Sequence, residues 1–597
     1  MKFRLQWLFL TLLVVSPLIA EEPPKREVVV VTGEYAPVPL EEAERPVRQF
    51  DTDQLSLISN TFADILKLDS SLDLRQRAPN SIQGDLSIRG GSFGQTLVLL
   101  DGVRLNDVQS GHHNLDVPAP FEAITRVEVL KGSGSTLYGS DAVGGVVNFI
   151  TRNPETTELR LRTAIGNFGT NQQRGILSYA SKTFGEELTF SRDFSTGFMP
   201  NRDYRNLSLA SRTSLTTALG TTSLTLANND RPFGAEQFYG AYNSWERTRT
   251  WFASARQTIG DNTDVNFAYR RHTDLFVLYR DRPWVYTNRH AVDSYQAAIR
   301  RHQDLGQNWK LFYGAEVYRD AIASNNLGYH HRTRSAPYVA LDVRALRRFS
   351  FSAGLRDEIW GSFNHEWSPT VAAGYWLAPS IKIRAGVSRA FRLPTYTDLY
   401  YKDPANIGNP NLRPERAWSY EGGVDWNAGG RLKASLTVFQ RRERDGIDYI
   451  RSSPADMWRA TNFQRLRFTG IEASAAVRTG QAQELEVQYT GLRGAQDALS
   501  GQESKYVFNY PVHSAIAGWT GILPGGIAAR TRIGVLQRYQ RDTYGLWDAY
   551  AAATRYRIRP FLQLSNITGT SYEEIPRVAM PGRSVIGGVE LAVFRSR

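Results

Sequence analysis

Cysteine is absent from the 597 residues. No disulfide can form, and no thiolate can serve as nucleophile or metal ligand. Long apolar runs are nearly missing as well, and the mean hydropathy is negative. Residues 5–15 alone approach membrane use, and a spanning helix needs about 20 apolar residues. A helical membrane bundle is therefore excluded. The nucleotide-binding signatures are missing too. Gly132 and Gly134 have a suggestive spacing, but no Walker lysine follows and no Rossmann glycine pattern appears. No serine, histidine or carboxylate constellation stands out as a nucleophile with its base, so the chain does not read as an enzyme.

Several features are present in quantity. Lys2 and Arg4 precede the apolar run, and Ser16-Pro17-Leu18-Ile19-Ala20 follows it. A basic start, a short apolar stretch and a small residue read as a secretory signal peptide over residues 1–20. Leu18 is larger than the usual residue there, a departure from the pattern. Aromatic residues make up 12% of the chain, which suits a transmembrane β-barrel with aromatic girdles at both interfaces. The net charge is +12. In an exported chain an arginine-lined lumen or contact with anionic headgroups accounts for this better than nucleic acid does.

The texture changes along the chain. Residues 21–46 are rich in proline and acid (Pro23, Pro24, Pro37, Pro39, Glu41, Glu42, Glu44, Pro46). Between those flanks stands an isolated β-branched run: Glu27, Val28, Val29, Val30, Val31, Thr32, Gly33. A lone strand in an extended tail is an edge with which another chain can pair. Residues 61–74 place Phe62, Ile65, Leu66 and Leu68 at helical spacing. Residues 47–152 then continue as short strands broken by glycine turns, a compact mixed α/β domain. From residue 153 the pattern is two-residue alternation. In residues 380–388, Ile381, Ile383, Ala385 and Val387 share one face, and Lys382, Arg384 and Ser388 share the other. That is a barrel strand with lipid outside and water inside.

Residues 86–107 (LSIRGGSFGQTLVLLDGVRLND) and 124–151 (ITRVEVLKGSGSTLYGSDAVGGVVNFIT) resemble the plug of TonB-dependent outer-membrane receptors. The barrel carries its own likeness in residues 389–395, 408–415, 420–423, 468–472 and 564–567. The chain is similar to this family over nearly its whole mature length. Within the family it is most like the cobalamin-receptor type, by its length and by GSDAVGGVVNFIT. The resemblance implies an all-β transmembrane barrel of about 22 antiparallel strands over residues 153–597, with the plug (47–152) in its lumen. It makes residues 27–33 the TonB box, pulled by an inner-membrane energy-coupling complex of the TonB type. It pairs Arg89 and Arg126 of the plug with Glu421 and Glu472 of the barrel. It implies an outer-membrane location, lipid contact, a monomer, and no cofactor or resident metal. Two departures stand out. The chain ends Arg595-Ser596-Arg597 after Phe594, where such barrels finish on an aromatic residue, and no aspartate-dense calcium loop is evident.

The cargo is then a scarce, bulky nutrient. A corrinoid leads, and a ferric siderophore or haem is the alternative. An outer-membrane barrel enzyme or a passive porin would be the readings from other classes. Loops facing outward supply the candidate ligand residues: Ser92, Phe93 and Gln95; Gln109, His112, His113 and Asn114; and Phe238, Tyr239 and Tyr242. The histidine pair is open to two readings, iron or metal ligation and simple hydrogen bonding.

Overall fold

Lys382, Arg384 and Ser388 are buried, while Ile383 and Val387 on the same strand, Ile381–Arg392, are exposed. Successive side chains of a strand point to opposite faces, and repetition of this pattern builds the wall. The computed structural model describes residues 29–30, 32, 38–346, 348–362, 364–463, 465–480, 483–496 and 501–596. Its 22 wall strands pair antiparallel with their neighbours, and Thr157–Gly166 closes the barrel against Ser584–Ser596.

Outward positions carry Leu207, Leu209, Leu224, Leu226, Val438 and Ile533, all exposed. An apolar band of this kind is a lipid face. Trp309, Tyr375 and Trp426 stand outward at one rim and Trp367 and Trp418 at the other. Connections are short at the end where the plug hands over to the wall, as between Ala180 and Phe184 or Thr217 and Gly220. At the opposite end they are long, as between Arg392 and Glu415 or Arg444 and Leu466. Short turns mark the periplasmic rim and long loops the outer one. Phe594 projects outward near the end of the closing strand and is 44% exposed. Among the described residues no helix is long and apolar enough to cross a membrane; the crossing is made by strands.

The N-terminal domain fills the lumen. Its five-stranded sheet runs Val47–Asp51, Ile124–Lys131, Gly145–Thr151, Thr96–Leu100, Val103–Arg104 in spatial order. Thr96–Leu100 lies parallel to Gly145–Thr151, so the sheet is mixed. Ile65, Leu66, Ile88, Val98, Val127, Val147 and Phe149 form its core, which continues into the wall at Phe252 and Ala268. The helix expected from residue 61 onward spans Phe62–Leu66, with Thr61 and Asp64 as a capping box. It stops early because the Asp69 carboxylate accepts both the N–H and the hydroxyl of Ser71. Leu72–Arg75 becomes a strand paired with Asp85–Ile88 instead.

One expectation is corrected. The alternation implies a watery lumen, but the inner faces meet protein. Lys382 Nζ donates to the carbonyls of Glu42 and Ala43 at 2.8 Å each. The last plug strand ends at Thr151 and the first wall strand starts at Thr157. Residues 1–28, with the signal segment, Glu27 and Val28, lie outside the described residues, as do Val31 and Gly33.

Candidate functional site: the plug, its latch and its outer face

Arg89 directly follows the strand Asp85–Ile88 and has φ of 53°, and Gly90 has φ of 74°. Two successive left-handed residues turn the chain sharply and aim the Arg89 side chain at the wall. Gly90 has no room for more. A Cβ there would lie 2.5 Å from Leu492 Cδ2. The Arg89 guanidinium donates from Nε and Nη2 to the two oxygens of Glu472, each at 2.8 Å, and from Nη1 to Glu421 at 2.8 Å. The ring of Phe439 lies 4.3 Å from its central carbon. All three charged side chains are at most 9% exposed.

Arg126 departs from the expected pairing. Its Nε lies 3.0 Å from Glu128, two residues along the same strand and so on the same face. That face looks toward the periplasmic mouth, and Arg126 lines a cavity of about 660 Å³ there with Arg212, Arg256 and Arg300. The second cation near Glu421 is Arg45, at 3.8 Å. Nothing in its local sequence marks it, because it is brought in by the entry segment that crosses under the sheet.

Other ties join plug and wall. Gln95 donates to Glu415 and Glu443 at 3.0 and 3.1 Å. Arg538 forks onto Asp73 at 2.7 and 3.0 Å. Within the plug itself, Asp69 is held by Lys131 at 2.9 Å and by Arg48 at 3.7 Å. Burial works to raise the Asp69 carboxyl, but the charges of Lys131 and Arg48 outweigh it and hold it below the usual carboxylate range.

The β-branched tail run is docked. Val29–Val30 pairs antiparallel with Val38–Pro39. Thr32 is fully buried. Its N–H donates to Glu128 at 2.7 Å, and its hydroxyl accepts from Asn148 at 3.0 Å. Glu128 thus joins the tail to Arg126.

The candidate ligand residues divide into two sets. Ser92, Phe93 and His112 are partly exposed, and Tyr239 and Tyr242 are exposed. The His112 ring stacks on Phe93 at 4.3 Å, and Tyr506 from an outer loop closes edge-on over both, at 5.3 and 5.7 Å. His112 Nδ1 lies 2.7 Å from Asp85. Burial holds this imidazole below its ordinary pKa, against the pull of Asp85. Across the outer face, Tyr239 packs edge-on against Phe276 at 4.9 Å and Tyr242 against Tyr279 at 5.6 Å.

Gln95, Gln109, His113, Asn114 and Phe238 are buried and do not form the outer surface expected of them. Gln109 donates to Asp274 at 2.7 Å, and Asn114 donates to the Phe93 carbonyl at 3.2 Å. Phe238 lies under Arg202, with the guanidinium 4.6 Å from its ring. His113 turns inward to face His272 of the wall. The two histidines diverge because they sit in a single 3₁₀ turn, Gly111–His113, where adjacent side chains point about 120° apart. A further outer basin of about 710 Å³ is lined by Arg538, Arg541, Tyr544 and Tyr572.

Two family profiles match this chain. Residues 39–146 match the TonB-dependent Receptor Plug Domain, and residues 164–570 match the TonB dependent receptor-like beta-barrel. The Vitamin B12 transporter BtuB of Photobacterium profundum is 23% identical over 520 residues, covering 82% of each chain. The Iron-regulated outer membrane virulence protein of Vibrio cholerae is 25% identical over 493 residues, covering 71% of this chain and 72% of its own. Among solved structures, the hemophore receptor HasR of Serratia marcescens superposes with a TM-score of 0.77 at 17% identity, covering 92% and 99% of the two chains. The FrpB iron transporter of Neisseria meningitidis gives 0.76 at 14%, also covering 92% and 99%. The plug, the 22-stranded wall and the profile matches lead to one assignment: the chain belongs to the TonB-dependent receptor family of outer-membrane transporters.

Proposed function

We propose that this receptor imports cobalamin or a related corrinoid, driven by a TonB-type inner-membrane complex that engages residues 27–33. The observation that carries the cargo assignment is the outer face of the plug. There the stacked rings of Phe93 and His112, with Tyr506 edge-on against them, form an aromatic cluster, and Asp85 beneath is already engaged by His112. A corrinoid is large, flat-sided and nearly neutral, and such a ligand is held by aromatic faces and a few hydrogen bonds. The similarity to a vitamin B12 transporter supports the same cargo. The similarity to an iron-regulated protein favours a second reading, a ferric siderophore or haem.

Export by the segment at residues 1–20, seating in the outer membrane against lipid, and action as a monomer complete the reading. Coupling to TonB rests on the β-branched edge of the tail, which a partner strand can extend. The test is a binding screen of the purified receptor against cyanocobalamin, haem and ferric siderophores. Selective cyanocobalamin binding is expected. Haem or siderophore binding without cobalamin would move the assignment to the second reading. Liposomes carrying the receptor should not leak small solutes, since the plug occupies the lumen; free leakage would point to a porin.

A further inference from the structure

His113 is 4% exposed, and its Nδ1 has no hydrogen-bond partner. It sits at the seam between plug and wall. Its Nδ1 lies 3.7 Å from Asp116 Oδ2, and the same oxygen lies 3.3 Å from Nε2 of His272, a fully buried residue of the wall strand Thr263–Val277. Ligand atoms of the three residues all fall within 4.8 Å of one another. Donors bound about 2.1 Å from a single ion in tetrahedral geometry stand roughly 3.4 Å apart. The two separations from the Asp116 oxygen are within about 0.3 Å of that spacing, and the two histidine nitrogens stand no more than 4.8 Å apart.

The surroundings have the form of a metal site's outer shell. Metal-bound histidines turn their other nitrogen toward a carboxylate or carbonyl. His272 Nδ1 lies 2.8 Å from Asp107, and His113 Nε2 lies 3.5 Å from Asp274. The second Asp116 oxygen accepts from Arg231 at 2.5 Å, which leaves the first oxygen facing the histidines.

Charge points the same way. Arg231 balances Asp116 and Arg270 balances Asp107. Among the described residues, Asp274 and Glu246 pair with no arginine or lysine. Asp274 makes its ion-pair contact with the His113 imidazole, at 3.5 Å, and a cation held beside that ring would compensate this buried carboxylate.

We propose that His113, Asp116 and His272 bind a divalent transition metal of the zinc class, and that this ion fastens the plug to the barrel wall. Two imidazoles and a carboxylate suit Zn²⁺, Co²⁺ or Ni²⁺ rather than Ca²⁺ or Mg²⁺, which take oxygen ligands. Two of the ligands come from the plug and one from the wall. Any movement of the plug away from that wall must therefore break a metal bond. The site is separate from the outer aromatic face and does not depend on the identity of the cargo.

The experiment uses full-length receptor in detergent, stripped with EDTA, dialysed, and titrated with Zn²⁺ and separately with Co²⁺. One equivalent of Zn²⁺ is expected to bind, and Co²⁺ should give the visible absorption of a low-symmetry nitrogen–oxygen site. His272→Ala should lower Zn²⁺ affinity at least tenfold. Asp107→Asn, which keeps shape and touches no metal, should lower it roughly 10- to 100-fold. Removing Zn²⁺ should speed proteolysis of the plug, and adding it back should restore protection. Absence of stoichiometric binding, or wild-type affinity in Asp107→Asn, would overturn the site. Plug proteolysis that ignores the metal would overturn its fastening role. Should His272→Ala fail to assemble, the wild-type titration and the Asp107→Asn variant still decide.

Discussion

Arg89 and Glu472 form a two-pronged ion pair, with both bonds at 2.8 Å and both side chains at most 9% exposed. The arginine belongs to the plug and the glutamate to the wall. Removing one member strands the other in a poorly solvated site, which typically costs about 3–5 kcal/mol. The variant Glu421→Ala/Glu472→Ala is expected to loosen the plug and to admit large antibiotics. The measurement is antibiotic sensitivity together with protease resistance of the plug; wild-type values for both would remove the latch role. Arg126→Ala, by contrast, should leave both unchanged.

The tail is held by one charged acceptor. Glu128→Gln weakens the bond to the Thr32 N–H and the pairing with Arg126. Hydrogen bonds to charged groups contribute about 1.5–3 kcal/mol. The expected outcome is a tail cut faster by protease while cargo still binds. Val29→Pro should act at the next step. It removes a backbone donor from the strand a partner would extend, so binding should persist while uptake stops. Normal uptake in this variant would be fatal to the box assignment.

The outer face tests the cargo. Under the corrinoid reading, Phe93→Ala and His112→Ala each lower cyanocobalamin affinity by about 1 kcal/mol, the scale of one ordinary contact. A haem receptor relying on His112 as axial ligand would instead lose nearly all its affinity. His113→Ala should affect cargo affinity far less than His112→Ala, because its ring is buried below the surface.

Acid should weaken the plug through Asp69. Its folded-state pKa lies below the unfolded value near 3.9. The stability it contributes is therefore fully present above that unfolded value and is lost as pH falls toward the folded one. Asp69→Asn should flatten this limb in a plot of plug protease resistance against pH. An unchanged acid limb would show that other carboxylates dominate.

Gly90→Ala is expected to destabilise plug docking, since an alanine must hold φ of 74° with its Cβ pressed against Leu492. A left-handed non-glycine residue alone costs about 1–3 kcal/mol. A thermal-unfolding midpoint equal to wild type would contradict this.

The sequence by itself determined the barrel and the presence of a plug. Inward Lys382 and Arg384 alternate with outward Ile383 and Val387 because a strand has a period of two, and that period is written directly in neighbouring residues. The pairing of Arg89 with Glu421 and Glu472 was implied by the family resemblance. What the tertiary structure decided are contacts between residues far apart in the chain. Arg45 and not Arg126 approaches Glu421, because Arg126 faces the side of its strand that Glu128 already occupies. His112 looks outward and His113 inward because a 3₁₀ turn splays them, and only the closed barrel brings His272 to meet the second. Local periodicity sets which face a side chain takes. What that face meets depends on the lumen around it, which exists only once the last strand has paired with the first.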